Sequence, residues 1–231
     1  MAWRENAKKA AAVAAVAHVE DGFVIGLGSG TTIVYALQEL GRRKLEKKLS
    51  VFGVPTSYQA VQMAIKHKIP LTTLDEHPRL DMTIDGADQV DEKLNMIKGM
   101  GGAMTREKIV ASASRLNVIV VDETKLTEKK LGHGQPVPVE VLPFAMSTVE
   151  AKLRELGGKP LLREAERKLG PVVSDNGNFI FDVSFGSISD PKKTNHALKA
   201  IPGVIETGLF VEMADVVYVG RKEGVRKLKR P

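Results

Sequence analysis

The stretch Phe23-Val24-Ile25-Gly26-Leu27-Gly28-Ser29-Gly30-Thr31-Thr32 decides the fold of this chain. Residues 23–27 form a short apolar run that is typical of a buried strand. Residues 28–30 predict a tight turn, because glycine readily adopts the backbone angles that such turns require. A helix is expected to follow from residue 31 to about residue 40. The stretch therefore predicts a strand, a turn and a helix, which is the opening unit of a layered α/β fold.

Strand-like and helix-like segments alternate on both sides of this unit. A helix is predicted over residues 5–19, because alanines recur on one helical stripe there and Gly22 follows as a stop signal. Downstream, the pattern predicts strands at 49–53, 82–84 and 118–121 and helices at 58–68 and 105–115. Such alternation predicts a parallel, Rossmann-like sheet with helices on both faces. Ligands of such sheets bind beyond the carboxyl ends of the strands, and the polar motifs of this chain follow predicted strands.

The chain changes character after residue 131. Three prolines punctuate a predicted strand, and the elements expected after it are a helix at 149–156, a strand around Leu161, a hairpin strand at 179–183, a helix at 193–200 and a strand at 204–207. This order is the split βαβ pattern of a ferredoxin-like α+β domain. The apolar run 216–219 is expected to return to the first sheet. We therefore predict a Rossmann-like catalytic domain over 1–131 and 208–231 and a smaller ferredoxin-like domain over 132–207.

Composition narrows the classes of function. The 231 residues include no cysteine, which excludes disulfides, thiolate nucleophiles and thiolate metal sites and favours a cytoplasmic location. No stretch approaches the roughly 18 apolar residues of a membrane span, so no membrane partner is expected. The net charge of +6 is spread along a chain with one tryptophan and three tyrosines, which favours a solvated basic surface over nucleic-acid binding. The five histidines lack ligand spacing, so no metal site is expected.

The glycine turn at residues 26–32 is the first candidate site. Its glycines let the backbone approach a ligand, and the helix that follows offers unpaired amide groups to an anion. It lacks the lysine and spacing of a nucleotide phosphate loop, and its G-x-G-x-G is one residue short of the dinucleotide fingerprint. The turn therefore predicts a site for a small phosphate rather than for NAD or ATP. An ordinary glycine turn with threonine caps explains it equally well.

Two further motifs follow predicted strands. Asp85-Gly86-Ala87-Asp88 places two carboxylates three residues apart, where both can hold sugar hydroxyls, although Asp-Gly is also a common turn former. In the stretch 98–108, Lys98 precedes a glycine loop and Glu107 enters the first turn of a helix. The glycines would let Lys98 and the backbone amides close on a substrate oxygen. A solvated lysine and a glutamate that complements the helix dipole are the structural alternatives.

Together these motifs carry a resemblance to a known family. Nearly end to end, the chain resembles the type A ribose-5-phosphate isomerases, on GSGTT at 28–32, DGAD at 85–88, the stretch 98–108, Asp122-Glu123-Thr124-Lys125, the proline segment 136–143, SDNGN at 174–178, IPGV at 201–204 and GLF at 208–210. The chain departs from the family at Met100, where the family often has glycine. That departure concerns the backbone shape of the loop more than its chemistry.

The resemblance implies an activity and a site. The activity is the interconversion of D-ribose 5-phosphate and D-ribulose 5-phosphate through a cis-enediol(ate), in the non-oxidative pentose phosphate pathway. It assigns the base to Glu107 and the polarisation of the carbonyl oxygen to Lys98, while Asp85 and Asp88 bind hydroxyls and assist ring opening. The substrate-binding residues that it implies are Ser29, Gly30, Thr31, Thr32, Gly86, Ala87, Gly99, Met100, Gly101 and Lys125.

The same resemblance implies no cofactor, a small sugar phosphate as partner, and a homodimer or homotetramer. Two other functions stay open on the sequence. One is a non-catalytic sugar-phosphate sensor, although no segment here is long enough to be an added DNA-binding module. The other is a relative of CoA transferases, in which a glutamate such as Glu107 attacks a thioester.

Overall fold

The structure is a computed structural model that describes residues 2–230, apart from the side chains of Ala2 and Lys47. These residues divide into two compact units. Unit 1 holds the described residues up to Ala87, Arg106–Leu126 and the described residues from Met213 on, and unit 2 holds Asp88–Thr105 and Thr127–Glu212. The predicted domain at 132–207 stays a prediction, and unit 2 contains it together with flanking residues on both sides.

The elements follow one another in the order strand, helix, strand through most of the chain. The helices are α1 (Ala2–Val16), α2 (Thr31–Lys47), α3 (Tyr58–Lys66), α4 (Met104–Ala113), α5 (Met146–Glu155) and α6 (Pro191–Lys199). The strands are β1 (Val24–Leu27), β2 (Phe52–Pro55), β3 (Met82–Asp85), β4 (Gln89–Val90), β5 (Met96–Ile97), β6 (Asn117–Asp122), β7 (Val137–Val141), β8 (Lys159–Leu162), β9 (Phe179–Ser184), β10 (Val204–Thr207), β11 (Leu209–Phe210), β12 (Val216–Arg221) and β13 (Gly224–Lys229).

Unit 1 is built on a six-stranded sheet in the order β13-β12-β6-β3-β1-β2. All neighbouring strands are parallel except β12 and β13. The predicted return of the late apolar strand is confirmed, because β12 pairs in parallel with β6. The mixed α/β class with a parallel central sheet is confirmed as well.

Small side chains let α1 lie directly on this sheet. Ala7, Ala11 and Ala15 are at most 1% exposed, and α1 contacts β12 and β6. The approach is close, because a β-carbon at Gly220 would lie 2.0 Å from the Ala7 carbonyl oxygen. The alanine stripe that predicts the helix therefore also explains how near its backbone comes to the strands.

Unit 2 contains a four-stranded antiparallel sheet in the order β10-β7-β9-β8, with α5 and α6 in the connections. The chain order β7-α5-β8-β9-α6-β10 gives the predicted ferredoxin-like topology, in which β9 lies between β7 and β8, the two strands of a split βαβ unit. Buried valines of β7 and β9 pack with Leu153 and Leu198 of the two helices. A small sheet in the order β11-β5-β4 completes the unit.

Four strands were not predicted from the sequence, for two different reasons. Strand β13 is basic and exposed at five of its six residues, so no alternation marks it. Strands β4, β5 and β11 have two residues each and are too short to be recognised. None of the helices formed by residues 2–230 combines the length and the apolar character that crossing a bilayer requires.

Candidate active site

The carboxyl edge of the unit 1 sheet gathers several of the predicted site residues. Strands β1, β3 and β6 are neighbours and parallel, so their carboxyl ends lie at one edge. The glycine turn follows β1, Asp85 ends β3, and Lys125 lies in a short 3₁₀ helix, Glu123–Lys125, directly after β6. This is the edge where ligands of parallel sheets bind.

The glycine turn and Asp85 touch one another. The Asp85 carboxylate is 3% exposed, and its Oδ1 accepts hydrogen bonds from the backbone N–H of Ser29 at 3.2 Å and of Gly86 at 2.7 Å. Residue 28 must be glycine, because a β-carbon there would lie 2.2 Å from the same oxygen. Two motifs that lie 56 residues apart along the chain therefore form one structure.

The first turn of α2 is open to an anion. Its cap residue Gly30 has φ +100° and provides no side-chain cap, so the amides of Thr31 and Thr32 lie where a phosphate binds at a helix N-terminus. Ser29 Oγ lies 2.9 Å from Thr56 Oγ1 and 2.5 Å from Ser57 Oγ, and both partners follow β2. This hydroxyl cluster fixes the orientation of Ser29 at the turn.

Helix α1 adds two cations that the sequence analysis did not predict. Lys8 Nζ lies 3.4 Å from Thr31 Oγ1 and 2.9 Å from Glu5 Oε1. Arg4 donates to Asp122 at 3.2 Å and to Thr124 at 3.0 Å. No sequence signal could have found these lysine and arginine positions, because only the packing of α1 brings them to this edge.

Hydrogen bonds from Thr124, together with the ion pair to Arg4, favour the charged form of Asp122. Burial by itself would raise the pKa of the Asp122 carboxyl, but the hydrogen bonds from Thr124 and from Arg4 outweigh it and leave the pKa below its usual value. Because Asp122 caps the 3₁₀ helix through the Thr124 N–H, the charge orders the segment that carries Lys125.

Helix α4 brings Glu107 toward the same edge. Its last residue, Ala113, accepts a hydrogen bond from the Leu80 N–H before β3 begins, so the helix runs antiparallel to β3. Its first turn therefore points to the carboxyl edge. There the Arg106 guanidinium lies 5.5 Å from the ring centre of Tyr58, which is next to Ser57 of the hydroxyl cluster. Glu107 itself is 6% exposed.

Unit 2 carries the remaining predicted residues. Lys98 follows β5 and is 3% exposed, its N–H donates to the Gly208 carbonyl at 2.9 Å, and its Nζ lies 5.3 Å from the centre of the Phe210 ring. The backbone N–H of Met100 donates to Asp88 Oδ2 at 3.0 Å, so the second carboxylate of the DGAD motif holds the glycine loop.

The glycine loop tolerates a side chain at residue 100. Gly99 has φ +105° and Gly102 has φ +80°, whereas Met100 does not adopt a positive φ and its side chain is 42% exposed. Methionine at this position therefore costs no backbone strain, and the departure from the family pattern leaves the loop conformation available.

The predicted residues thus divide between the two units. Unit 1 holds Ser29, Gly30, Thr31, Thr32, Asp85, Gly86, Ala87, Glu107 and Lys125, and unit 2 holds Asp88, Lys98, Gly99, Met100 and Gly101. Across residues 2–230 there is no group of three or more histidine, aspartate or glutamate side chains arranged to hold a metal ion.

Known proteins are similar to this chain in sequence and in fold. The family model described as ribose 5-phosphate isomerase A (phosphoriboisomerase A) matches residues 52–224. A ribose-5-phosphate isomerase A of Methanosarcina acetivorans is 52% identical over 221 residues, which cover 96% of this chain and 93% of the relative. A solved ribose 5-phosphate isomerase A from Methanocaldococcus jannaschii matches with a TM-score of 0.94 at 46% identity, covering 98% and 99% of the two chains. A solved D-ribose-5-phosphate isomerase in complex with phospho-erythronic acid matches with a TM-score of 0.95, also at 46% identity and with coverage of 98% and 99%.

Proposed function

The chain belongs to the ribose 5-phosphate isomerase A family, and on that premise we propose that it interconverts D-ribose 5-phosphate and D-ribulose 5-phosphate in the non-oxidative pentose phosphate pathway. The observation that carries the proposal is the contact between Asp85 and the glycine turn. It places a carboxylate suited to sugar hydroxyls beside a helix N-terminus suited to phosphate. The related enzyme in complex with phospho-erythronic acid supports this, since that ligand combines a phosphate with hydroxyl and carboxylate groups.

Glu107 is the base of the proposed mechanism. In the open-chain aldose, its carboxylate removes the proton from C2, and the electron pair forms the C1–C2 double bond of a cis-enediol(ate). The C1 oxygen takes up the proton that the C2 hydroxyl group loses, and Glu107 returns its proton to C1 as the C2 oxygen becomes the ketone, so no electrons leave the substrate. The position of Glu107 in the first turn of α4, almost fully buried, suits a base that meets carbon-bound hydrogen away from bulk water.

Lys98 stabilises the charge that develops on the substrate oxygen. A buried ammonium group interacts strongly with an oxyanion, because little solvent screens it. Asp85 and Asp88 hold hydroxyl groups and assist opening of the furanose ring, and the backbone of Gly86, Ala87, Gly99, Met100 and Gly101 lines the sugar.

The phosphate group is bound by the glycine turn in this proposal. Thr31 and Thr32 offer amide and hydroxyl donors, Ser29 offers its hydroxyl group, and Gly30 lines the turn, while its own N–H donates to Gln59 Oε1. Lys125 supplies a positive charge from the segment after β6. We add Lys8 to this set, because its ammonium group already lies beside the Thr31 hydroxyl. Binding energy at the phosphate holds the sugar in its reactive geometry.

Product analysis tests the function directly. The purified chain is incubated with ribose 5-phosphate, without added metal or cofactor, and ribulose 5-phosphate is measured. We expect turnover by the native chain and a kcat lower by about 10² to 10⁴ in Glu107→Gln, the usual loss for a general base. Glu92→Gln, which changes an exposed glutamate, is the matched control and should keep full kcat. Full activity of Glu107→Gln would reject the assignment of the base, and an inactive native chain would reject the function.

We also propose that the chain works in the cytoplasm as a homodimer or homotetramer. The absence of cysteine supports the location, because cytoplasmic proteins do not depend on disulfides. The family resemblance supports the assembly. Light scattering on the purified protein should give the mass of two or four chains, and the mass of a single chain would contradict it.

A further inference from the structure

Arg163 in unit 2 is held rigidly and is not used by the mechanism above. It follows β8, where its N–H donates to the Ile180 carbonyl and its carbonyl accepts from the Val172 N–H, both at 2.8 Å. Its side chain is 13% exposed and forms a two-pronged ion pair with Asp182 of β9, Nε to Oδ2 at 2.8 Å and Nη2 to Oδ1 at 2.5 Å. Such a fork fixes the plane of the guanidinium group.

The third nitrogen of this guanidinium group reaches the glycine loop. Arg163 Nη1 donates to the Gly99 carbonyl at 3.0 Å and to the Met100 carbonyl at 3.1 Å. The Gly102 N–H donates to the same Gly99 carbonyl at 2.9 Å. Two consecutive loop carbonyls therefore face a cation whose own position is fixed by Asp182.

The planar peptide bond links the orientation of each loop carbonyl to that of the N–H group that follows it. In a trans peptide the carbonyl and the following N–H point in opposite directions. Because Arg163 holds the Gly99 carbonyl, the Met100 N–H points away from it, toward Asp88 Oδ2 at 3.0 Å. The Met100 carbonyl also accepts from Arg163, so the Gly101 N–H that follows it points away from Arg163 as well. The guanidinium group thus decides which face of the loop presents amide donors.

We propose that Arg163 is a positioning residue for the isomerisation, which holds the peptides of residues 99–101 so that their N–H groups and Asp88 share one side of the loop that carries Lys98. This inference rests on the proposed function. Stability alone explains the arrangement poorly, because apolar residues of similar volume often replace a buried ion pair without loss of stability. Lysine could not replace Arg163, since a single ammonium group cannot form a bidentate ion pair with a carboxylate and also donate to two carbonyls.

The test compares Arg163→Gln with the native chain. We expect kcat to fall by about 10- to 100-fold, because small displacements of catalytic groups have effects of that size. The Kd for inorganic phosphate should stay within about twofold, since the residues proposed to bind phosphate are unchanged. Arg163→Lys should show a similarly low kcat.

Val183→Ala is the matched control. It shortens a fully buried side chain next to Asp182 on β9, so it lowers the melting temperature without removing a contact to the loop. Its kcat should stay near that of the native chain at a temperature where both are folded. If it loses as much kcat as Arg163→Gln, the effect is one of stability and the inference is wrong.

Other outcomes are equally decisive. Native kcat in Arg163→Gln or in Arg163→Lys overturns the inference. If Arg163→Gln does not fold, Asp182→Asn is measured instead, because it keeps the guanidinium group and weakens only the ion pair that holds it. An unchanged kcat in Asp182→Asn also overturns the inference. A native chain that does not isomerise ribose 5-phosphate contradicts the proposed function instead, and the two failures are therefore distinguishable.

Discussion

Single residues at the carboxyl edge of unit 1 are placed by contacts that leave little freedom. Gly28 lies so close to Asp85 that any side chain would displace the carboxylate. Asp85 in turn accepts from the Ser29 N–H, so the carboxylate and the glycine turn are joined by a hydrogen bond. The positions of these groups are therefore set by direct hydrogen bonds, whose donor and acceptor atoms lie about 3 Å apart.

Lys8 gives the prediction at the residue scale. Replacing it by methionine keeps the length of the side chain but removes the ammonium group near Thr31. A hydrogen bond from a charged group contributes about 1.5 to 3 kcal/mol, so we expect the KM for ribose 5-phosphate and the Kd for inorganic phosphate to rise about tenfold or more. Lys9→Met changes the exposed neighbour and should leave both constants as they are. Equal constants in the two variants would contradict a phosphate role for Lys8.

Secondary-structure elements meet at this edge through their first turns. The loop before α3 supplies Ser57, whose Oγ accepts from the Ala60 N–H at 3.1 Å and lies 2.5 Å from Ser29 Oγ. One hydroxyl therefore caps α3 and supports the turn before α2. Elements that are separate in sequence are coupled by a cap that serves both.

Ser57→Ala is the prediction at the element scale. Loss of an N-cap costs about 1 kcal/mol of unfolding free energy. In addition the KM for ribose 5-phosphate should rise, because Ser29 loses a hydrogen-bonding partner. Asp190→Ala removes the cap of α6 in unit 2, where the side chain accepts from the Lys193 N–H, and should cost similar stability with an unchanged KM. Urea unfolding and steady-state kinetics on both variants measure these effects. An unchanged KM in Ser57→Ala would contradict the proposed coupling between the cap of α3 and the glycine turn.

The elements themselves were largely predictable from the sequence. Short, mostly apolar runs of three to five residues predicted the interior strands of the large sheet, and the boundaries of β10 agree with the prediction. Helix α2 extends to Lys47, beyond the predicted end near residue 40, because Leu40 is fully buried and Gly41 packs against His67. Tertiary packing outweighs the low helix propensity of a single glycine there.

Two histidines, His18 and His67, are expected to make the folding stability of the protein depend on pH in the mildly acidic range. Burial lowers the pKa of His18, and the charges of Lys227 and Lys229 lower it further. Burial, with the charge of Lys66, also lowers the pKa of His67. The unfolded chain therefore binds protons on these histidines at a pH where the folded chain does not. Their contribution to stability is complete above the ordinary value of 6.5 and is lost as the pH falls through the lowered folded-state values.

We accordingly expect a lower melting temperature at about pH 5.5 than at about pH 7.5, the range in which histidine titrates. The double variant His18→Gln, His67→Gln should show a smaller difference between the two pH values, since glutamine does not titrate. Its amide can still bond the Tyr218 hydroxyl, which lies 2.6 Å from His18 Nε2. Scanning calorimetry at both pH values measures this, and an equal difference in the native chain and the double variant would refute the histidine origin.

The sequence by itself determined which chemical groups this protein has and which local elements carry them. The glycine turn, the DGAD motif and the Lys98 loop were recognisable because each needs particular residues within a few positions of one another. The parallel sheet followed from the alternation of apolar strands and helices, and with it the edge at which unit 1 gathers its polar residues.

Only the tertiary structure decided which distant residues contact the candidate site residues within each unit. Lys8 reaches Thr31 because α1 packs across the sheet, and Arg163 reaches the Gly99 carbonyl because β8 and β9 fix its guanidinium group. Neither residue has a local pattern that distinguishes it from other surface lysines and arginines. Contacts over 23 and 64 residues arise from the packing of whole elements, so no short stretch of sequence encodes them.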